Sequence, residues 1–295
     1  MLEVVAALGT DQLREDYADL SETRLHYVEA GEGPLVVLLH GFPEFWYGWR
    51  FQIPALAAAG FRVVAPDIRG YNTSSKPPGV AAYDVDRLAV DVRDLIQERG
   101  AQAARVAGHD WGAVAAWVTA MNHPEVVERL AILNVPHPRR FLRGVRRPRQ
   151  LAKSWYMFFF ELPWLPEGAA RAGRWRFFRV WSLGTAASPG AFTAQDIDRY
   201  LEAWSQPGAA TATINYYRAL FRQSPRRTEA RIRVVQAPTL VIWGERDRYL
   251  GRELADPDPA DVANLERVVR PPDASRSVQH DEPERVNQLL TEFFR

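Results

Sequence analysis

The chain has no cysteine, which excludes disulfides, thiolate metal ligands and a cysteine nucleophile together. An excess of one charge is also missing. Lys and Arg number 37 against 36 Asp and Glu, so no global field draws the protein to nucleic acid or to a membrane surface, and neither is an expected partner. No apolar run is long enough to span a bilayer. The stretch Met1–Arg14 has no basic region followed by an apolar run, so no secretory signal is read there and a cytoplasmic location is expected. Internal repeats and low-complexity segments are absent as well. What remains is a chain of 295 residues, 47% hydrophobic and 25% charged. That is the balance of a soluble globular protein with a sizeable core, large enough for one domain or for a core with an insert.

Short apolar runs bounded by turn residues recur at Leu35–Leu39, Arg62–Ala65, Arg105–Ala107, Leu130–Val135, Thr239–Trp243 and Leu265–Val269. Such runs predict strands buried on both faces, as in a parallel sheet. Between them lie helical patterns. Val85, Leu88, Ala89, Val92, Leu95 and Ile96 fall on one helix face, and Val286, Leu289, Leu290 and Phe293 do so near the C-terminus. Strand alternating with helix predicts an α/β sheet with right-handed crossovers. From Pro136 to Arg231 no β-branched run appears. That segment is rich in Arg and aromatics and is punctuated by Pro and Gly. The expected organisation is a core in two pieces, residues 1–135 and 232–295, with a helical cap over residues 136–231. The cap would cover the strand ends, where ligands bind in open α/β sheets.

Gly108-His109-Asp110-Trp111-Gly112 follows the strand Arg105–Ala107 and precedes a small-residue helix, Ala113 to Ala120. This is the strand–turn–helix setting of a nucleophile elbow, with Asp110 in the place of the nucleophile. An Asp that opens a helix is also an ordinary N-cap. A carboxylate nucleophile would attack an sp3 carbon and leave an alkyl ester on the protein. Water must then attack that ester, which calls for a base and an oxyanion hole. His40-Gly41-Phe42-Pro43 follows the strand Leu35–Leu39, so the backbone N–H groups of Phe42 and Trp111 are the expected oxyanion donors.

The run His40-Gly41-Phe42-Pro43-Glu44-Phe45-Trp46-Tyr47-Gly48-Trp49-Arg50, with Ala65-Pro66-Asp67-Ile68-Arg69-Gly70-Tyr71 and the Gly-His-Asp-Trp-Gly elbow, resembles the epoxide hydrolases of the α/β-hydrolase fold over nearly the whole chain. The resemblance implies a mostly parallel central sheet flanked by helices, with an inserted helical cap. It implies the opening of a small hydrophobic epoxide by water through an Asp110 ester, with no metal and no organic cofactor. It also implies two acidic phenols from the cap. Trp155-Tyr156-Met157-Phe158-Phe159-Phe160 matches the first at Tyr156, and Asn215-Tyr216-Tyr217-Arg218 resembles the second at Tyr217. A phenol stays protonated at neutral pH and can donate to a leaving oxygen; Tyr216 is read as packing. After the strand Thr239–Trp243, Asp247 matches the family's triad acid, with Glu245 the weaker alternative.

The base is the departure. Triad order on such a fold runs nucleophile, acid, His, and by that order His280 alone follows Asp247 among the six histidines. The family pattern, aligned on Gln279-His280-Asp281-Glu282-Pro283, instead puts Arg276 at the catalytic place. A guanidinium does not lose its proton in proteins, so Arg276 can pair with Asp110 or Asp247 but cannot activate water. Three functions follow: an active epoxide hydrolase, a haloalkane dehalogenase using the same displacement, or an impaired homologue that traps its ligand. Phe42 stands where the dehalogenases commonly carry a halide-binding Asn, and the paired tyrosines favour an oxygen leaving group. The basic run Arg139, Arg140, Arg143, Arg146, Arg147 and Arg149 reads as a solvated face or a hinge paired with acidic neighbours. The oligomeric state, monomer or homodimer, is open from sequence.

Overall fold

The structure is a computed structural model that describes residues 13–181, 183–188 and 190–295; most of the N-terminal stretch, and the turn residue Pro189, lie outside the described residues. The chain folds on an eight-stranded sheet in the order β1-β2-β4-β3-β5-β6-β7-β8. In chain order these strands are β1 Leu13–Asp19, β2 Arg24–Ala30, β3 Leu35–Leu39, β4 Arg62–Pro66, β5 Ala104–His109, β6 Val127–Leu133, β7 Thr239–Ile242 and β8 Leu265–Val269. From β4 through β8 every pairing is parallel, whereas β1 and β2 run antiparallel at one edge.

The predicted runs become the parallel strands because helices cover both sheet faces and continuous apolar sequence can be buried there. Every residue of β3 and β7 is buried. The far edge departs from the expectation of strands buried on both faces. In β8, Glu266 and Arg267 are exposed and the other residues only half-buried, since an edge strand has no second neighbour to cover it. The hairpin of β1 and β2 was not predicted. Its charged sequence carries no apolar run, and the exposed charges of β1 shield an edge that would otherwise template pairing with another chain.

Helices α1 Gln52–Ala58, α2 Val85–Glu98 and α3 Trp111–Asn122 flank the sheet, and α2 buries the predicted Leu88, Ala89, Val92, Leu95 and Ile96 face. Its N-cap is Asp84, whose carboxylate accepts from the Asp86 N–H and so satisfies one of the first-turn donors. Between β6 and β7 the described regular elements are all helical: α4 Pro138–Gly144, α5 Pro148–Lys153, α6 Trp155–Phe160, α7 Leu165–Trp181, α8 Ala194–Trp204, α9 Ala209–Phe221 and α10 Pro225–Arg231. Helix α7 is broken at Ala172–Trp175, where the backbone leaves the helical region. Polar links tie these helices to the sheet. Tyr47 donates to Asp196 at 2.8 Å, buried Arg50 donates to the Ala191 carbonyl at 2.7 Å, and Tyr216 donates to the Arg69 carbonyl at 2.6 Å. Within the basic run, Arg139 lies 2.8 Å from Asp261 and Arg143 3.5 Å from Asp258. Two helices close the chain, α11 Val278–Asp281 and α12 Pro283–Phe294.

Candidate active site

Four parallel strands end on one side of the sheet and set the site there. The turn after β3 carries Phe42, the turn after β5 carries Asp110, β6 runs into Asn134, and the turn after β7 carries Asp247. Asp110 has φ 51° and ψ −124°, a conformation that non-glycine residues rarely adopt and that persists only where the surroundings impose it. Two glycines make room for it. A Cβ on Gly112 would run into the carbonyls of Leu39 and His40, and one on Gly41 would run into the Asp110 side chain. The elbow glycine therefore lets α3 start hard against the end of β3, and its partner lets the two turns touch.

One carboxylate oxygen of Asp110, Oδ1, accepts from the backbone N–H of Phe42 at 2.8 Å and of Trp111 at 2.7 Å. The other, Oδ2, accepts from Nη2 of Arg276. Burial works against ionisation of Asp110, but the Arg276 guanidinium, then His109 and the Phe42 N–H, outweigh it and hold the carboxyl below its ordinary value. The second fork of Arg276 is 3.4 Å from Oδ2 of Asp247. One guanidinium thus sits between two buried carboxylates, and desolvation of all three charges is offset by their pairing.

Asp247 is the better furnished of the two. Its Oδ1 accepts from the N–H groups of Tyr249 at 2.7 Å and Leu250 at 3.0 Å. Its Oδ2 accepts from the Asn134 amide at 3.1 Å, and the Asn134 carbonyl oxygen accepts from the Gly244 N–H at 2.9 Å. Asn134 was not foreseen. The signal was a single amide inside the apolar run Leu130–Val135, and its left-handed φ of 51° marks the point where the strand ends. The neighbouring Glu245 is only half-buried, and Asp247 rather than Glu245 meets Arg276.

Tyr156 on α6 and Tyr217 on α9 are both buried, their rings 5.8 Å apart. Burial, reinforced by the nearby carboxylates, pushes both phenols above their ordinary value, so both keep their protons. Both line the cavities that reach Asp110. Tyr216, on the next helical position, turns away to the Arg69 carbonyl.

His280 is not brought to Asp247. It lies on the short helix α11, whose single turn begins after Ser277 and sets it against Glu44 and Arg50. Its Nε2 is 2.7 Å from Glu44 Oε1 and its Nδ1 is 2.9 Å from Arg50 Nη1. A guanidinium can only donate, so Nδ1 is the acceptor and Nε2 carries the proton given to Glu44. Burial, with Arg50 beside it, also lowers the His280 pKa and keeps the ring neutral. With its one free lone pair taken by Arg50, His280 has nothing left with which to accept a proton from water. The expectation that it serves as the base is corrected on that ground.

Two cavities meet at Asp110, Tyr156, Tyr217 and Arg276. The larger, about 390 Å³, is apolar and is walled by residues such as Trp117, Met121, Phe141, Met157 and Leu220. The smaller, about 20 Å³, lies toward Glu44, His109, Tyr249 and Ser277. Behind it runs a buried polar chain that sequence reading passed over: His109 Nδ1 is 3.3 Å from Glu44 Oε2, and the Gln279 amide nitrogen is 3.2 Å from the same oxygen. The opposite ring nitrogen of His109 donates to the Arg276 carbonyl at 3.0 Å.

The fold and this elbow define an α/β hydrolase, and the family model described as alpha/beta hydrolase fold matches residues 34–283, so the chain belongs to that family. Within it the chain stands among the epoxide hydrolases. It is 38% identical to Epoxide hydrolase 4 of Homo sapiens, over 93% of this chain and 76% of that protein. It is 41% identical to the AB hydrolase superfamily protein YfhM of Bacillus subtilis (strain 168), over 97% of this chain and 99% of that protein. The crystal structure of Bacillus megaterium epoxide hydrolase in complex with an inhibitor superposes with a TM-score of 0.87 at 32% identity, over 94% of this chain and 99% of that one.

Proposed function

We propose that the protein opens a small hydrophobic epoxide to a vicinal diol through an alkyl ester on Asp110. The observation that carries this reading is that the Asp110 carboxylate lines an apolar cavity together with two protonated phenols, Tyr156 and Tyr217. Oδ2 attacks an epoxide carbon, the C–O bond of the ring breaks, and Tyr156 or Tyr217 gives its proton to the departing oxygen. Oδ1, already held by the Phe42 and Trp111 N–H groups, becomes the ester carbonyl oxygen, and the same donors stabilise the oxyanion when water attacks. The helical segment between β6 and β7 acts as the cap, since it supplies both phenols and most of the apolar wall.

Arg276 sets this protein's kinetics apart. It cannot take a proton from water, and it draws charge from the nucleophile it contacts. Ester hydrolysis is therefore the slow half of the reaction, and a second reading, in which the ester accumulates, rests on the same contact. Mass spectrometry of the protein mixed with styrene oxide tests both. An adduct on the Asp110 peptide, transient or lasting, supports ring opening at Asp110. Halide release from haloalkanes without any diol from epoxides would instead favour the dehalogenase.

A further inference from the structure

We infer that Glu44 is the base that activates the hydrolytic water, from the small cavity on the side of Asp110 away from the apolar one; this rests on the ester chemistry proposed above. The two cavities share the nucleophile, both phenols and Arg276 but differ in every other respect. The large one suits an apolar substrate. The small one, at about 20 Å³, exceeds the roughly 10–15 Å³ that one water needs, and it offers more than the two polar partners a buried water requires. Apart from Asp110, Glu44 is the one carboxylate lining it.

Glu44 is built as an ionised group. It is 4% exposed and receives His280 Nε2–H on Oε1 and the Gln279 amide on Oε2, with Tyr200 3.4 Å from Oε1. Burial alone would raise its pKa, but the groups facing it, the His280 Nε2–H first, prevail and hold it well below the ordinary carboxylate range. Arg50 stands behind His280 and fixes its tautomer; across the cavity lie Arg276, Asp110 and Tyr249. None of these can take a proton as a free carboxylate can. Arg276 and Tyr249 are protonated, and His280 is spoken for; His109 also lines the cavity, but its Nε2–H goes to the Arg276 carbonyl and its Nδ1 accepts from the Gln279 amide at 3.1 Å, and Asp110 is the esterified group itself.

The step balances. Water gives one proton to Glu44 while its oxygen bonds to Cγ of the Asp110 ester, and the carbonyl electron pair moves onto Oδ1 between the two N–H donors. When the carbonyl re-forms, the Cγ–Oδ2 bond breaks and its electron pair leaves on the diol oxygen, which takes the proton from Glu44. The acid proton left on Asp110 returns to the phenolate made during ring opening. A carboxylate with a depressed pKa is a weaker base than an imidazole near pH 7, so this hydrolysis is slow.

The test is single turnover with styrene oxide, following adduct by intact mass and diol by chromatography. For the wild type, diol forms and any adduct decays. Glu44→Gln still forms the adduct but clears it more slowly, by about 10²- to 10⁴-fold. Decay in Glu44→Gln at the wild-type rate overturns the assignment, as does a wild-type adduct that never decays. Absence of both adduct and diol in the wild type overturns the ring-opening reading, and this one with it. Because Glu44 is buried and its variant can misfold, the wild-type pH profile is a second measure. With Glu44 as base, ester decay stays flat through the region near pH 6.5 where an imidazole titrates. A decay rate that falls away on acidification through that region assigns the step to a histidine and overturns the proposal.

Discussion

The two sides of Asp110 are unequally equipped. On the apolar side stand the proposed nucleophile Asp110, two protonated phenols and a cavity of about 390 Å³. On the polar side, the Arg276 guanidinium reaches between Asp110 and Asp247, and Glu44 is held in a buried chain of His109, Gln279, His280 and Arg50. The first side joins a strained turn at the strand ends and helix α3 to the helices between β6 and β7, which bring both phenols. The second side is gathered from several elements, with Glu44 after β3, His109 at the end of β5, Asp247 after β7 and Gln279 and His280 on α11, and a single side chain from the loop before α11, Arg276, reaches both carboxylates. On the proposed ester route, ring opening would draw on the first side and ester hydrolysis on the second, where position 276 stands.

The most severe way to break this contrast is Asp110→Asn. It removes both halves together, and adduct and diol should each fall by about 10⁴-fold or more, the scale seen when a nucleophile or its partner is deleted. Residual diol above a tenth of the wild-type rate would sink the nucleophile assignment. Next is Arg276→His, which puts an imidazole beside Asp247. Ester decay should quicken by roughly 10²- to 10⁴-fold, with adduct formation changed far less; an unchanged decay rate would mean that position 276 does not limit the second half. Tyr156→Phe and Tyr217→Phe touch the first half alone. Each should slow adduct formation by about 10²-fold, the size of one lost transition-state donor, while decay of preformed ester stays the same.

Smaller effects sharpen the picture. Asn134→Ala takes an amide from Asp247 Oδ2 and strands the Gly244 N–H, so chemical denaturation should show a loss of about 1–3 kcal/mol; no loss would show that water replaces the amide. The smallest expected change is in the pH dependence of adduct formation. Asp110 is depressed and the phenols are raised, so the ionised nucleophile survives below, and the protonated acids above, their ordinary values of about 3.9 and 10. Stopped-flow rates should be level between those limits, and a break inside them would mean that another group titrates.

Much of this was legible before any coordinates. The buried parallel strands announce themselves because continuous apolar sequence has no other low-cost place to go. The elbow is readable because a strained turn packed against a helix tolerates only glycine at its tight points. The hairpin of β1 and β2 was not legible, since an exposed edge carries charge instead of an apolar run. Asn134 sat within a recognised strand, but nothing local says which way an amide at a strand end will face.

By itself, the order of residues determined the sheet, the helical insert and the position of Asp110, because each depends on local pattern and on chemistry intrinsic to a side chain; Arg276 stood out only against the family resemblance. Tertiary structure alone decided where His280 goes. Four positions of separation can be spent as a helical turn or as extended chain, and packing against Glu44 and Arg50 chose the turn. It also decided that Arg276 reaches both carboxylates, since charges distant in sequence find one another only where burial leaves each no better partner.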